Sequence, residues 1–303
     1  MGDTPVVGFI GLGIMGEPMA RHVLAAGFPL VVHNRSKGKV EAIVAAGARD
    51  GGSPTGVASQ ADIILMCLPD SPDVEKVLLG PDGVFAGISA GKVVVDMSTI
   101  SPVVARTLAA KAGELGVEFL DAPVSGGQTG AQQGTLSIMV GGSQQAFERV
   151  MPVFQSMGKT IRRMGDSGAG QVTKACNQMM VAVLAAGVSE ALVFATKAGV
   201  DPALVREVLL GGAGYSRFLE NGAPRMIQHN FQPGFKLKLH NKDLNIVLGA
   251  AKEYGVAVPT TALVQQFYAA LMAAGKGEMD FSVLVTIFEQ MASAEVKSPS
   301  KGE

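Results

Sequence analysis

The sequence predicts an α/β domain on a parallel sheet, followed by an all-helical domain, with one long helix joining the two. Three observations carry this prediction. Short apolar runs at 6–10, 30–33, 62–68 and 92–96 alternate with helical patterns through the first half of the chain. Strand and helix in alternation is the pattern of a mostly parallel sheet with helices on its faces. Beyond position 199 only helical patterns remain, and the stretch 168–199 between the halves is free of proline and rich in Ala, Val, Leu and Met. It reads as one helix over 168–197, bounded by Gly168 and Gly199. At about 1.5 Å per residue it would span roughly 45 Å.

The chain's 303 residues suffice for two domains with a large core. Hydrophobic residues make up 48% and charged residues 17%, and the formal net charge is −1. That balance gives no reason to expect nucleic acid or an anionic membrane as a partner. Lys174, Asn177, Gln178, Glu190 and Lys197 interrupt the apolar run of the long helix, which argues against a membrane span. The two cysteines, Cys67 and Cys176, lie in apolar segments without a CxxC spacing, so both are expected to be buried thiols. Neither they nor His22, His33, His229 and His240 show ligand spacing, and no metal is expected. The N-terminus lacks the charged, apolar and small-residue regions of a signal peptide, so a cytoplasmic location is expected.

The run 6–10 leads directly into Gly11-Leu12-Gly13-Ile14-Met15-Gly16, and a helical pattern follows to Ala26. This is GxGxxG between strand and helix. Gly11 serves the turn, Gly13 lets backbone approach a pyrophosphate, and Gly16 allows close helix–strand packing. The anion would sit on the helix N-terminus. Glycines also simply make turns, but the strand and helix on either side favour a dinucleotide site. The strand 30–33 ends at Asn34-Arg35-Ser36, with no acid between Glu17 and Glu41. A site selective for NAD places a carboxylate here for the ribose hydroxyls. Arg35, flanked by Lys37 and Lys39, instead suits the 2′-phosphate of NADP(H). NADP(H) is therefore preferred, with NAD(H) still possible; the alternative is a solvated basic turn.

The strands 62–68 and 92–96 end at Leu68-Pro69 and at Met97-Ser98-Thr99. Ligands of open α/β sheets lie beyond the carboxyl ends of strands, so Leu68, Pro69 and Thr99 are candidates for the nicotinamide half of the groove. Thr99 alternatively caps the helix expected over 102–115. After a strand at 117–121 comes Ala122-Pro123-Val124-Ser125-Gly126-Gly127, leading into a loop at 128–134. Consecutive small residues with free amides form a nest for an anion, here a substrate carboxylate held by Ser125, Gly126 and Gly127. Strands at 136–140 and 160–163 close the first domain, 1–166. The second domain, 167–296, holds helices over 202–210, 216–228, 236–254, 259–274 and 280–292, and 297–303 forms a polar tail. The charged run 235–243 is either an exposed helix face or a segment with which Lys242 and Asp243 close the cleft between the domains.

On the long helix Lys174, Asn177, Gln178 and Val181 fall at i, i+3, i+4 and i+7, on one face. An amine and two amides there call for a polar partner. Near neutral pH a lysine, with an ordinary pKa of about 10.4, is protonated. It can stabilise the oxygen of an aldehyde that accepts a hydride, and then give it a proton. Asn177 can hold that oxygen or a neighbouring hydroxyl.

Residues 8–16, 121–127 and 168–178, with Lys242-Asp243, together resemble the β-hydroxyacid dehydrogenase family, in order and separation, over nearly the whole chain. The resemblance implies a Rossmann domain, an all-helical second domain, and a homodimer or homotetramer built through the latter. It implies that Lys174 is catalytic with Asn177 beside it, that Ser125, Gly126 and Gly127 bind substrate, and that Lys242 meets the cofactor or substrate. The stretches 121–142 and 189–199 look most like the branch that reduces tartronate semialdehyde. Other branches act on glyoxylate, succinic semialdehyde or 3-hydroxyisobutyrate. A non-catalytic NADP-binding module would keep the glycine loop with no reason for the amine and amide.

Overall fold

The structure is a computed structural model that describes residues 4–298. The part of the expected polar tail from 299 onward lies outside the described residues. The chain divides into two compact units, meeting in sequence between Lys174 and Ala175.

Among the described residues the first unit is a nine-stranded sheet with helices on both faces. Its strands are β1 (Val7–Ile10), β2 (Leu30–His33), β3 (Arg49–Asp50), β4 (Ile63–Met66), β5 (Val93–Asp96), β6 (Glu118–Asp121), β7 (Val124–Ser125), β8 (Leu136–Gly141) and β9 (Gly158–Gly165). The order β3-β2-β1-β4-β5-β6 is parallel throughout; β8 then runs antiparallel to β6 and β7, and parallel to β9. Strand order reverses between β1 and β4, the place where open sheets of this kind take a dinucleotide. The central strands are apolar on both sides because both faces are covered. Phe9, Leu65 and Val95 pack into one layer, and Ile10, Ile64 and Val94 into the other. This is the period-2 alternation of a strand.

The long helix runs over Ala169–Lys197 as one element. By length and composition it could cross a membrane; in the structure Ala182, Ala185, Leu192 and Val193 are buried in the core of the second unit. The division between the compact units falls inside this helix. The reason is Asp121, at the end of β6, whose Oδ1 accepts from the Gly168 N–H at 2.6 Å and Oδ2 from the Gln171 N–H at 2.9 Å. A side chain at Gly170 could not be accommodated, since its β-carbon would lie 2.3 Å from the Met139 carbonyl oxygen. The first turn of the helix therefore belongs to the sheet.

Several local expectations are corrected. The segment 128–134 is a short helix, Gly127–Gln133, and not a loop. The helix expected over 216–228 breaks at Gly222 into Arg217–Asn221 and Ala223–Ile227. A β-carbon at Gly222 would lie 2.5 Å from the Phe218 ring, and Pro224 lies in the first turn of the second piece. The 280–292 segment opens as a 3₁₀ turn, Phe281–Leu284, before the helix Val285–Ala292. Cys176 is exposed, because its position points away from the buried face of the helix, and Cys67 is half-buried. The remaining helices of the second unit are Pro202–Leu210, Leu237–Tyr254 and Pro259–Ala273, packed around Tyr268, Leu271 and Leu284.

Burial pushes the Asp121 carboxyl up to about 6, against the backbone donors that pull it down. A carboxyl raised on folding binds protons more tightly in the folded chain, so its contribution to stability falls as pH rises from 3.8 to about 6. Wild type should lose stability relative to Asp121→Asn by on the order of 1–3 kcal/mol between about pH 4 and pH 7. Urea unfolding at each pH measures the gap, and a flat gap would exclude a raised carboxyl.

Candidate active site

The glycine loop sits where β1 ends. Gly11 has φ +95°, and a β-carbon on it would lie 2.4 Å from the Cys67 carbonyl oxygen at the end of β4. At Gly16 the β-carbon would lie 1.8 Å from the Gly11 carbonyl oxygen. These two glycines are required by the protein's own backbone. At Gly13 a β-carbon would meet nothing within 4 Å, so the fold itself does not demand glycine there. Gly13 and Ile14 are exposed, Met15 is half-buried and Leu12 is buried. The helix that follows, Gly16–Ala25, has no side-chain cap; its Glu17 N–H donates to the Gly13 carbonyl at 3.0 Å, and its positive dipole end faces the loop. This cradle fits the pyrophosphate of a dinucleotide.

Asn34, at the end of β2, accepts from the Leu12 N–H at 3.0 Å through Oδ1 and donates to the Ser36 carbonyl at 3.2 Å. It ties the loop to the next strand. Arg35 and Ser36 are exposed. Glu17 pairs with Arg21 at 3.1 Å and Lys39 at 3.3 Å, so Lys39 is not part of a free basic cluster.

Two further loops carry predicted residues. Leu68 is half-buried and donates its N–H to Ser98 Oγ at 2.8 Å, while Pro69 is exposed. Thr99 is half-buried and does not cap the next helix, because Ser101 takes that role through the Val103 N–H at 3.2 Å. Gln171 grips both neighbours of Thr99: its Nε2 donates to the Ser98 carbonyl at 2.8 Å and its Oε1 accepts from the Ile100 N–H at 3.1 Å. Ser125 ends β7, and Gly126 and Gly127 follow with φ of +134° and +61°, both exposed. Sequence reasoning missed Asp121, Gln171 and Ser98. Their signal lies in contacts 47 to 73 residues apart in sequence.

Lys174 is 8% exposed, one turn beyond Gln171. Further along the helix a row of polar groups is joined by hydrogen bonds. Asn177 Nδ2 donates to Gln178 Oε1 at 2.7 Å, and Gln178 Nε2 donates to Asp243 Oδ2 at 2.5 Å. Lys242 Nζ lies 3.0 Å from Asp243 Oδ1. His240, fully buried, lies 3.3 Å from the Gln178 carbonyl through Nε2 and 3.0 Å from the Tyr268 hydroxyl through Nδ1. The charged run 235–243 is thus mixed: Lys236 and Lys238 pair with Glu278 at the surface, whereas His240 and Asp243 are interior.

A parallel run of strands in the order 3-2-1-4-5-6 with a glycine loop at its switch point defines a dinucleotide-binding architecture. Residues 6–165 match the family described as the NAD binding domain of 6-phosphogluconate dehydrogenase, and residues 168–288 the one described as NAD-binding of NADP-dependent 3-hydroxyisobutyrate dehydrogenase. The 2-hydroxy-3-oxopropionate reductase of Escherichia coli is 46% identical over 95% of this chain and 98% of its own length. An NAD-dependent L-serine dehydrogenase of Pseudomonas aeruginosa is 38% identical over 93% and 97% respectively. The solved 3-hydroxyisobutyrate dehydrogenase of Mycobacterium tuberculosis with L-serine superposes with a TM-score of 0.88 at 31% identity, covering 94% of this chain and 99% of that one. The chain belongs to the family of NAD(P)-dependent β-hydroxyacid dehydrogenases, oxidoreductases acting on CH–OH groups.

The glycine loop separates two kinds of requirement. Gly13→Ala should fold with a Tm close to wild type yet bind nicotinamide dinucleotide at least about tenfold more weakly, since the added methyl fills the approach of the pyrophosphate. Gly16→Ala should lower the Tm, because the backbone must shift. Fluorescence titration and thermal unfolding together read both, and unchanged dinucleotide affinity in Gly13→Ala would remove the pyrophosphate from this loop.

Proposed function

We propose that this enzyme reduces 2-hydroxy-3-oxopropionate (tartronate semialdehyde) to D-glycerate with NADPH. Lys174 is the catalytic donor and Ser125, Gly126 and Gly127 hold the substrate carboxylate. The observation that carries the reading is the burial of a lysine one turn past a helix start fixed to the sheet by Asp121 and Gln171. An ammonium in a place shielded from water interacts strongly with negative charge, and a developing alkoxide carries it. The reduced nicotinamide, when bound, supplies the hydride. Lys174 stabilises the carbonyl oxygen as it gains charge and then protonates it. The small residues at 125–127 hold the carboxylate with backbone amides and the Ser125 hydroxyl. Asn177, on the same helix face as Lys174, holds a substrate oxygen. The similarity to the Escherichia coli reductase supports the choice of acid.

Preference for NADP(H) is supported by exposed Arg35 at the end of β2, with no carboxylate between Glu17 and Glu41. Exposed apolar side chains of the second unit, among them Phe194, Leu204, Val208 and Met291, support a homodimer or homotetramer through that unit.

Lys174→Ala should keep NADPH affinity within about threefold and lose about a hundredfold or more in turnover. Equal loss of both would mark a structural lysine. Arg35→Asp should reverse the preference between NADPH and NADH in binding titrations; unchanged NADPH affinity would refute the assignment. NADPH oxidation measured with tartronate semialdehyde, succinic semialdehyde, glyoxylate and methylmalonate semialdehyde tests the substrate, and the first should give the highest kcat/KM.

A further inference from the structure

The row Asn177–Gln178–Asp243 has a direction. Asn and Gln amides must be oriented from their hydrogen-bond partners, because oxygen and nitrogen look alike. Here the far end is a carboxylate paired with Lys242 at 3.0 Å, and a carboxylate only accepts. It must therefore face the Gln178 nitrogen, as it does. That turns Gln178 Oε1 toward Asn177, where an oxygen requires a donor, and Asn177 Nδ2 provides it at 2.7 Å. An amide is planar, so Asn177 then presents Oδ1 on the opposite edge. Gln178 and Asp243 are each 4% exposed. Reversing either amide would set oxygen against oxygen in a buried place, which is costly.

We propose that Asp243, acting through Gln178, fixes Asn177 as a hydrogen-bond acceptor toward the substrate, and that this acceptor selects acids with a hydroxyl beside the reacting carbon. Asp243 and Gln178 are positioning residues; Asn177 is the residue that touches the substrate. The inference rests on the reading above, in which the Lys174 face of the helix meets the substrate. It deepens that reading by naming the polarity of the contact. A 2-hydroxyl donates to Asn177 Oδ1, whereas a hydrogen or methyl there offers nothing and leaves the amide oxygen unpaired. A site built to bond a hydroxyl discriminates far more strongly than one that merely accommodates size.

The test uses the reverse reaction and two stable acids, glycerate and 3-hydroxypropanoate, which differ only in the 2-hydroxyl. The quantity read is the ratio of their kcat/KM values. Wild type should favour glycerate by about tenfold or more. Asn177→Ala should bring the ratio close to one, mainly by loss on glycerate. Asp243→Asn, nearly isosteric but able to present either end to Gln178, should collapse the ratio in the same way. The double variant should show no further collapse, the non-additivity expected of residues acting in one chain. An Asp243→Asn variant that loses both acids equally would make Asp243 merely structural and overturn the inference. So would an Asn177→Ala variant whose ratio stays at the wild-type value. A different failure separates the underlying reading: if Lys174→Ala still turns over glycerate, the helix face is not the substrate face, whatever the ratios are.

Discussion

The structure depends on a buried carboxylate that receives the start of a helix. Asp121 gives one oxygen to Gly168 and the other to Gln171, at the end where the amides of a helix are unpaired and its dipole is positive. Burying a charge is expensive, and the upward push on its protonation measures that expense. What offsets it is the pairing of donors that no residue of the helix itself could satisfy. The place is tight: a β-carbon at Gly141 would lie 2.4 Å from Asp121 Oδ1. Gln171 adds a second attachment by bridging the two backbone groups on either side of Thr99. The end of β6, the Thr99 loop and the first helical turn are thereby tied together, and Lys174 follows one turn on.

A second carboxylate works in another way. Asp121 acts on backbone amides and fixes where a helix lies. Asp243 acts on a side-chain amide and fixes which way it faces. Both exploit the fact that an ionised carboxylate can only accept, so that each partner is forced to be a donor. Position and polarity along one helix are thus set by two acids distant in sequence from it. The lysine between them needs no local motif beyond being on the right face.

Much of this was legible in the sequence, and the boundary of legibility has a physical cause. The glycine loop, the apolar strands and the long helix are local: period and punctuation report them directly. Lys174 and Asn177 stood out because polar groups on one stripe of an apolar helix are locally anomalous. Asp121 did not, since its function is a contact across 47 residues, and an acid at a strand end has no distinguishing spacing. Gln178 was visible as polar, but its direction needed Asp243, 65 residues away. The helix Gly127–Gln133 was read as a loop because its glycines and glutamines lack an apolar period. At the split at Gly222, Pro224 follows in the first turn of the second piece, where it has no N–H to continue the ladder.

The contrast between Lys174 and Arg35 explains why two specificities of one enzyme need not change together. Lys174 is buried on a helix whose start is tied to the sheet through Asp121 and Gln171. Arg35 is exposed on a turn whose attachment to the glycine loop runs through its neighbour Asn34 and not through itself. A carboxylate can replace the guanidinium there without loss of a buried contact, and the stability cost of such an exposed exchange is small. The family's matches include one described for NADP and a relative named for NAD, and the proposed roles of Lys174 and Arg35 are compatible with both on one scaffold. In the proposed reading cofactor choice sits on the surface of the fold and chemistry in its interior.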